Sequence, residues 1–378
     1  MSSKNHSAVP TKIWIVAPVP PPYGGMSVQA EKLHRNLKKE GFDAELIPTN
    51  PPAPPRLRAL ARVPGARTLI REFQFLQSLK RIVAAPGIVH HLAASHLYFF
   101  LHSAPLLLLP SSRSRRLIFN YRGGAAYNFL RRWSWLAVPL MRRADCMVVP
   151  SEFLQQIFWR HGLRPALLPN IADTESFPFR LREKLRPRFF VSRNLEPMYD
   201  VACVLGAFRI IQQQIPDAKL GIAGSGSEES RLRALTQAWK LRDVEFFGVV
   251  TPSRLPSVYE KFDLYLNASR VDNFPGALVE AACSGLPIVT TRAGGIPMMI
   301  RHRENGLLVD VGDAEAMAAS ALELLANEKA GSRMARNARV WAEEFSWSRV
   351  FERLSRCYGL PPRDVQPTKL EHAGVPEA

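Results

Sequence analysis

Two hydrophobic patterns alternate along this chain. "KIWIVAPV" (12–19), "GIVHHL", "RLIFNY" (116–121) and "CMVVPS" (146–151) are short, nearly continuous apolar runs, the pattern of strands buried on both faces. Between the first of them and "AELIPT" lies "SVQAEKLHRNLKKEGF" (27–42), with Val28, Leu33 and Leu37 at helical spacing and Gly41 as a stop. "PPPYGG" (20–25) is the connecting loop. Strand, helix and strand joined by short connections predict the βαβ unit of a parallel sheet. The run at 146–151 leads into a further helix, "EFLQQIFWRHG". One doubly wound domain is expected over residues 1–170.

"PALLPNIADTESFPFRLREKLRPR" (165–188) is rich in proline and charge and weak in periodicity, which predicts an interdomain connection. The strand–helix pattern then restarts with "FFVSRNL" (189–195), the helix "VACVLGAFRIIQQQIP", the strand "AKLGIAG" and a turn "SGSEES". "VEFFGVV", "FDLYLNAS", "LPIVTT" and "GLLVD" supply further strands, giving a second domain over 171–345. "FSWSRVFERLSRCYG" reads as a last amphipathic helix within 346–360, and 361–378 as a disordered tail. The expected fold is α/β: two Rossmann-like, doubly wound domains facing across a cleft, with ligand at the carboxyl ends of the strands.

Charge changes the picture for the first domain. Residues 1–170 hold 23 Lys/Arg against 7 Asp/Glu, which accounts for +16 of the net +17. Such a surface favours an anionic partner, a membrane surface before nucleic acid, since no zinc-finger, RNP-like or helix-turn-helix pattern is present. Between Arg81 and Arg113 the chain is uncharged, but Pro105, His96, His102 and Ser103 interrupt the apolar run. A membrane span needs about 20 apolar residues, so the segment is read as a buried strand, helix and strand. "RRWSWLAVPLMRR" (131–143) sets two Trp between paired arginines, the composition of an interfacial helix or of a core helix with snorkelling arginines. His90, His91, His96 and His102 sit around this apolar segment at a spacing that favours packing or acceptor contact over metal ligation. Four separated cysteines make neither a disulfide framework nor a zinc site, and the proline-rich N-terminus does not read as a signal peptide. A cytoplasmic protein is expected.

The densest chemistry lies in "SRVDNFPGALVEAACSGLP". A strand ends near Ser269 and a helix begins near Gly276, so the first N–H groups of that helix face the cleft as a site for phosphate. Asp272 and Glu280 flank it. Carboxylates repel phosphate, so these two are expected to accept hydrogen bonds from sugar hydroxyls on either side.

This block, followed by "TTRAGGIPMMI" and "ENGLLVDVGDAEAMAAS", resembles the donor site of the retaining, GT-B-fold glycosyltransferases of group 1 and family four. That large family includes bacterial polysaccharide and lipid-linked-sugar transferases. Its two acids stand in an E-x7-E pattern, and Asp272 and Glu280 keep the spacing with Asp first. "PPYGGMSVQAEKL", "VVPSEFL", "LLPNIADTESF" and "IPDAKLGIAGSGSEESRLRAL" extend the resemblance over most of the chain, which implies that the closing helix within 346–360 returns to the first domain.

The resemblance implies that Glu280 binds the nucleotide ribose and Asp272 the donor sugar. Asn273, Phe274, Pro275, Gly276 and Ala277, with Gly24 and Gly25 opposite, would hold the diphosphate, and Gly224 would line the same cleft. Arg193 would stabilise diphosphate charge as the glycosidic bond breaks. Two positions depart from the pattern. Met198 stands where the family places a Lys, and "FNYRGG" offers Arg122 where the family often has a histidine, so Arg122 would return positive charge from the opposite wall. No D-x-D occurs, and no metal is expected. The sequence reading is therefore a metal-independent retaining enzyme, peripheral on the inner face of the plasma membrane. It would move a hexose from a UDP- or GDP-sugar to a lipid-linked or polysaccharide acceptor. The alternative is a nucleotide-sugar-binding scaffold with weak or no transfer activity.

Overall fold

The computed structural model describes residues 12–21, 24–60, 63–110 and 112–360. Pro22 and Tyr23 of the first loop and the expected disordered tail lie outside them.

The first domain runs β1 (Ile13–Ala17), α1 (Gly25–Lys39), β2 (Ala44–Pro48), α2 (Pro64–Ala84), β3 (Gly87–Ala93), α3 (Ala104–Leu107), β4 (Arg115–Tyr121), α4 (Ala126–Met141), β5 (Cys146–Val149), α5 (Glu152–Trp159) and β6 (Ala166–Leu167). Its sheet is parallel, in the order β2-β1-β3-β4-β5-β6. Alternate side chains of each strand enter opposite layers. Ile13, Ile15 and Ile88 pack with α1, whereas Trp14, Val16 and Val89 pack with Phe75, Leu79 and Ile82 of α2.

The second domain runs β7 (Arg188–Ser192), α6 (Val201–Gln214), β8 (Lys219–Ala223), α7 (Glu229–Ala238), β9 (Val244–Gly248), α8 (Leu255–Tyr259), β10 (Leu264–Asn267), α9 (Gly276–Cys283), β11 (Ile288–Thr291), α10 (Ile296–Met299), β12 (Leu307–Val309), α11 (Ala314–Ala326) and α12 (Glu328–Glu343). The parallel order is β12-β11-β10-β7-β8-β9. A final helix, α13 (Trp347–Tyr358), leaves the second domain and packs Val350, Phe351 and Leu354 on the first sheet. Two parallel-sheet α/β domains thus present the carboxyl ends of their strands to each other, where the Asn273 amide donates to the Gly123 carbonyl at 3.4 Å.

Three elements differ from the sequence reading. Between Arg81 and Arg113 the expected strand and helix are present, as β3 and a π-helical turn, Phe99–Ser103, that runs into α3, but the strand that follows, β4, begins beyond the segment at Arg115. The connection at 165–188 opens with β6, which pairs with β5. The long helix α2 was not anticipated, because its apolar residues occupy an arc too wide to show a single stripe: Phe75, Leu79 and Ile82 are buried while Leu69, Phe73 and Leu76 are exposed.

Candidate active site

The second-domain wall is built on the loop after β10. Asp272 Oδ1 accepts from the Phe274 amide at 3.1 Å, an Asx-type bond that turns the chain just before α9. The loop after β11 presses on the same turn, with Gly295 N donating to Asp272 O at 2.7 Å. A Cβ on Gly294 or Gly295 would collide with the carbonyl oxygens of Asp272 and Asn273. At Gly24, Gly25 and Gly276, by contrast, a Cβ would meet only open space. Gly276, which begins α9, thus leaves the helix terminus accessible to a ligand.

Asp272 is already engaged: its other oxygen pairs with the Arg193 guanidinium. Arg193 follows β7 and lies 4.0 Å over the Tyr199 ring. Burial disfavours its charge, but Asp272 with Tyr265 and Tyr199 more than offsets that and raises its pKa. Its Nε–H is buried without a partner. Gly224 packs against the backbone at Arg193. Its φ of +134° lets it pass so close beneath Arg193 O that a side chain would not fit. Met198 is exposed, and its carbonyl accepts from Arg270 N at 2.8 Å.

Eight positions after Asp272, Glu280 Oε2 accepts from the Tyr259 hydroxyl at 3.0 Å. Burial raises the Glu280 pKa, opposed by Lys32, Tyr259 and Arg193. Lys32 belongs to α1 of the other domain and was missed in the sequence. Its Nζ lies 3.2 Å from Asp173 and 3.4 Å from the Ile171 carbonyl. Gln29 grips both backbone groups of Ile171, at 3.0 and 2.8 Å, and Arg35 takes the other Asp173 oxygen at 2.8 Å. The polar stripe Gln29–Lys32–Arg35 at helical spacing was the available signal. It holds the interdomain connection against α1.

The first-domain wall supplies Arg122 at the end of β4. One of its Nη atoms donates to Asn170, while its Nε–H is buried and unpartnered, and burial lowers the guanidinium to about 10. Arg122 and Arg193 are thus linked by a short path: Arg122–Gly123, the contact to Asn273, then Asp272–Arg193. Asn273 Oδ1 on that path is a third buried atom without a partner. Three unpartnered polar atoms from both walls, beside an open helix N-terminus, suit an anion that brings its own acceptors and hydroxyls.

The histidines do other work. His90 bridges the Tyr358 hydroxyl and the Asn120 amide at 2.8 and 2.9 Å, and His91 bridges the Val16 carbonyl and Ser103 Oγ at 3.0 and 2.8 Å. Burial holds both at a pKa of about 3, so they are neutral packing groups. His102 packs edge-on against Phe75 with its pKa lowered to about 4 by burial. His96 is exposed at the end of β3 with φ +57°.

Residues 23–176 match the family model described as Glycosyltransferase Family 4, and residues 173–341 match Glycosyl transferases group 1. The chain is 31% identical over 179 residues to N-acetyl-alpha-D-glucosaminyl L-malate synthase of Bacillus anthracis, covering 47% of this chain and 46% of that protein. It is 29% identical over 187 residues to the amylovoran biosynthesis glycosyltransferase AmsK of Erwinia amylovora, covering 45% and 46%. It therefore spans about half the length of these relatives. The fold is similar to the crystal structure of HepE from Anabaena in complex with UDP and glucose, with a TM-score of 0.69 and 17% identity over 92% of this chain and 98% of that one.

Proposed function

Because the chain joins, in order, the Family 4 and group 1 domains of GT-B glycosyltransferases, we propose that it is a retaining glycosyltransferase. It moves a hexose from a UDP- or GDP-sugar to a lipid-linked or polysaccharide acceptor, without a metal. The observation that carries this reading is the pair of buried guanidinium Nε–H groups without partners, Arg193 on one wall and Arg122 on the other, beside the open start of α9. In this reading Arg193, Arg122 and the amides of 273–277 hold the diphosphate. They neutralise its charge as the bond to the anomeric carbon breaks, the point at which fixed cations help most. Glu280, oriented by Tyr259, accepts from the ribose. Asp272 accepts from the donor sugar once Arg193 turns to the phosphates. Gly24 and Gly25 would approach the diphosphate from the first domain. The relatives include an N-acetyl-alpha-D-glucosaminyl L-malate synthase and a glycosyltransferase of amylovoran biosynthesis, a variety that agrees with an acceptor chosen by the first domain. That basic domain faces the inner surface of the plasma membrane.

A scaffold that binds donor without transfer is favoured by one observation, the absent cation at Met198. A panel of UDP- and GDP-sugars, followed by thermal shift and by product analysis with the anomeric configuration read by NMR, separates the two. Stabilisation with retained-anomer product in the presence of EDTA is expected. Stabilisation without turnover leaves the scaffold, and an inverted product removes the retaining assignment.

A further inference from the structure

We propose that the helical layer on one face of the first sheet, led by the exposed stripe of α2, is a docking surface for anionic lipid. Its role in presenting an acceptor to the cleft rests on the transferase reading; the docking itself does not.

α2 buries Phe75, Leu79 and Ile82 against the sheet and leaves Leu69, Phe73, Leu76 and Val83 in solvent, with Leu69 73% and Phe73 63% exposed. At 100° per residue these four lie within about 40° of Leu69, an apolar ridge that only the exposed Lys80 interrupts. The same layer exposes Leu97, Leu108, Tyr127 and Trp135, the last at 71%. Apolar surface of this extent marks an interaction site.

Charge identifies the partner. Residues 54–144, which contain α2, α3 and α4, carry 15 Lys/Arg and one acid, Glu72, which is half-buried with its carboxylate 3.4 Å from His102. The opposite layer mixes signs, as in the Arg356–Glu352 pair of α13. Arg122 of the 54–144 stretch belongs to the cleft wall, Arg116 bonds the Cys357 carbonyl of α13, and Asp145 and Glu152 are exposed acids of the same layer, but basic groups still predominate. An apolar ridge within a predominantly positive layer is the pairing a peripheral membrane protein needs, since neither attraction alone gives stable anchoring. A second copy of this chain is opposed by the like charge of the two faces. Among the described residues no helix is long and apolar enough to cross a membrane, so this surface lies on the bilayer. The segment after β2 leaves the carboxyl end of its strand, on the cleft side of the sheet, and exposes Leu57 and Leu60 before α2 begins. The bilayer would meet the protein beside the site.

The test is sedimentation of the full chain with vesicles of phosphatidylglycerol and phosphatidylcholine, at low salt and at about 1 M, where screening falls to roughly 3 Å. The triple variant Leu69→Ser, Phe73→Ser, Leu76→Ser alters only exposed side chains, and its unfolding temperature is expected to match the parent. The parent should bind steeply with anionic lipid and keep residual binding in high salt. The triple variant should partition about tenfold or more weakly at low salt and lose the residue. Equal partitioning of parent and variant, or a parent that ignores anionic vesicles, overturns the proposal. So does a parent dimer, seen by light scattering without vesicles, that the substitutions convert to monomer: the ridge would then be a self-interface. A chain that docks but turns over no nucleotide sugar keeps the surface and loses the transferase.

Discussion

Arg193 and Asp272 hold each other, and that pairing decides how each is tested. Removing either partner leaves a buried charge uncompensated, costing about 3–5 kcal/mol, so a truncation confounds stability with function. Arg193→Lys keeps the charge beside Asp272 and removes the free Nε–H. We expect near-parent stability and turnover at least about tenfold lower, one charge-assisted hydrogen bond being worth about 1.5–3 kcal/mol. Undiminished kcat would end the catalytic assignment. Met198→Lys, at an exposed position, should raise kcat if a second cation is what the site lacks. Glu280 makes the opposite kind of prediction. Its pKa is raised, chiefly by burial, so the ionised form costs stability above the unfolded carboxylate pKa near 4.3, and the cost fades as pH falls. Glu280→Gln should therefore melt at higher temperature than the parent at pH 7, converge with it toward pH 4, and bind nucleotide about 1.5–3 kcal/mol more weakly. A variant less stable at pH 7 would contradict the burial account. The acid spacing was legible because a turn and one helix carry it. Lys32 was not, because its effect on Glu280 appears only when two domains meet.

At the scale of elements, the turn before α9 is held by two close backbone approaches, and the glycines that permit them are not interchangeable with the glycine that opens the helix. Gly295→Ala drives a methyl into Asn273 O and should displace residues 272–275. Overpacking of this kind costs about 1–3 kcal/mol, and donor binding should fall with it. Gly276→Ala places its methyl in open space, so the fold should keep its melting temperature while nucleotide-sugar affinity drops, because the methyl occupies ground the diphosphate approaches. Calorimetry on both variants distinguishes them, and equal losses of stability would remove the distinction between holding the loop and opening the site. Strands were legible here as continuous apolar runs, since parallel strands buried on both faces leave no other signature. α2 escaped because solvent-facing Leu69, Phe73 and Leu76 erase the polar face by which a surface helix is recognised. β6 is two residues long and is fixed by pairing to β5 rather than by any local pattern.

For the whole molecule, the first domain depends on a helix that follows the second. α13 buries Leu354 at 0% exposure in the core with Ile13, Ile15 and Leu37, and Tyr358 closes over His90. Its strong apolar periodicity was legible in the residues, whereas its return to the first domain followed from the family resemblance and from no local pattern, since both sheets offer apolar faces. Leu354→Ala should cost about 2–5 kcal/mol and lower the calorimetric transition of the first domain alone, which assigns that transition. Acid then provides an independent check. His90 and His91 are held near a pKa of about 3, and His102 near about 4, by burial in this domain. Their folded pKa values lie below the unfolded value of about 6.5, so the unfolded chain takes up protons first. The stability they contribute is complete above that value and is lost as pH falls beneath it, by up to about 1.4 kcal/mol per pH unit for each histidine. Between about pH 6.5 and 5, above the usual carboxylate range, the transition moved by Leu354→Ala should fall faster than its companion. The second domain's His302 is also lowered, by burial and by Arg292 and Arg303, but it is one group against three. Two transitions that fall together over that interval would mean that the three histidines are not kept neutral by the first core, and that their burial is not what makes this domain sensitive to acid.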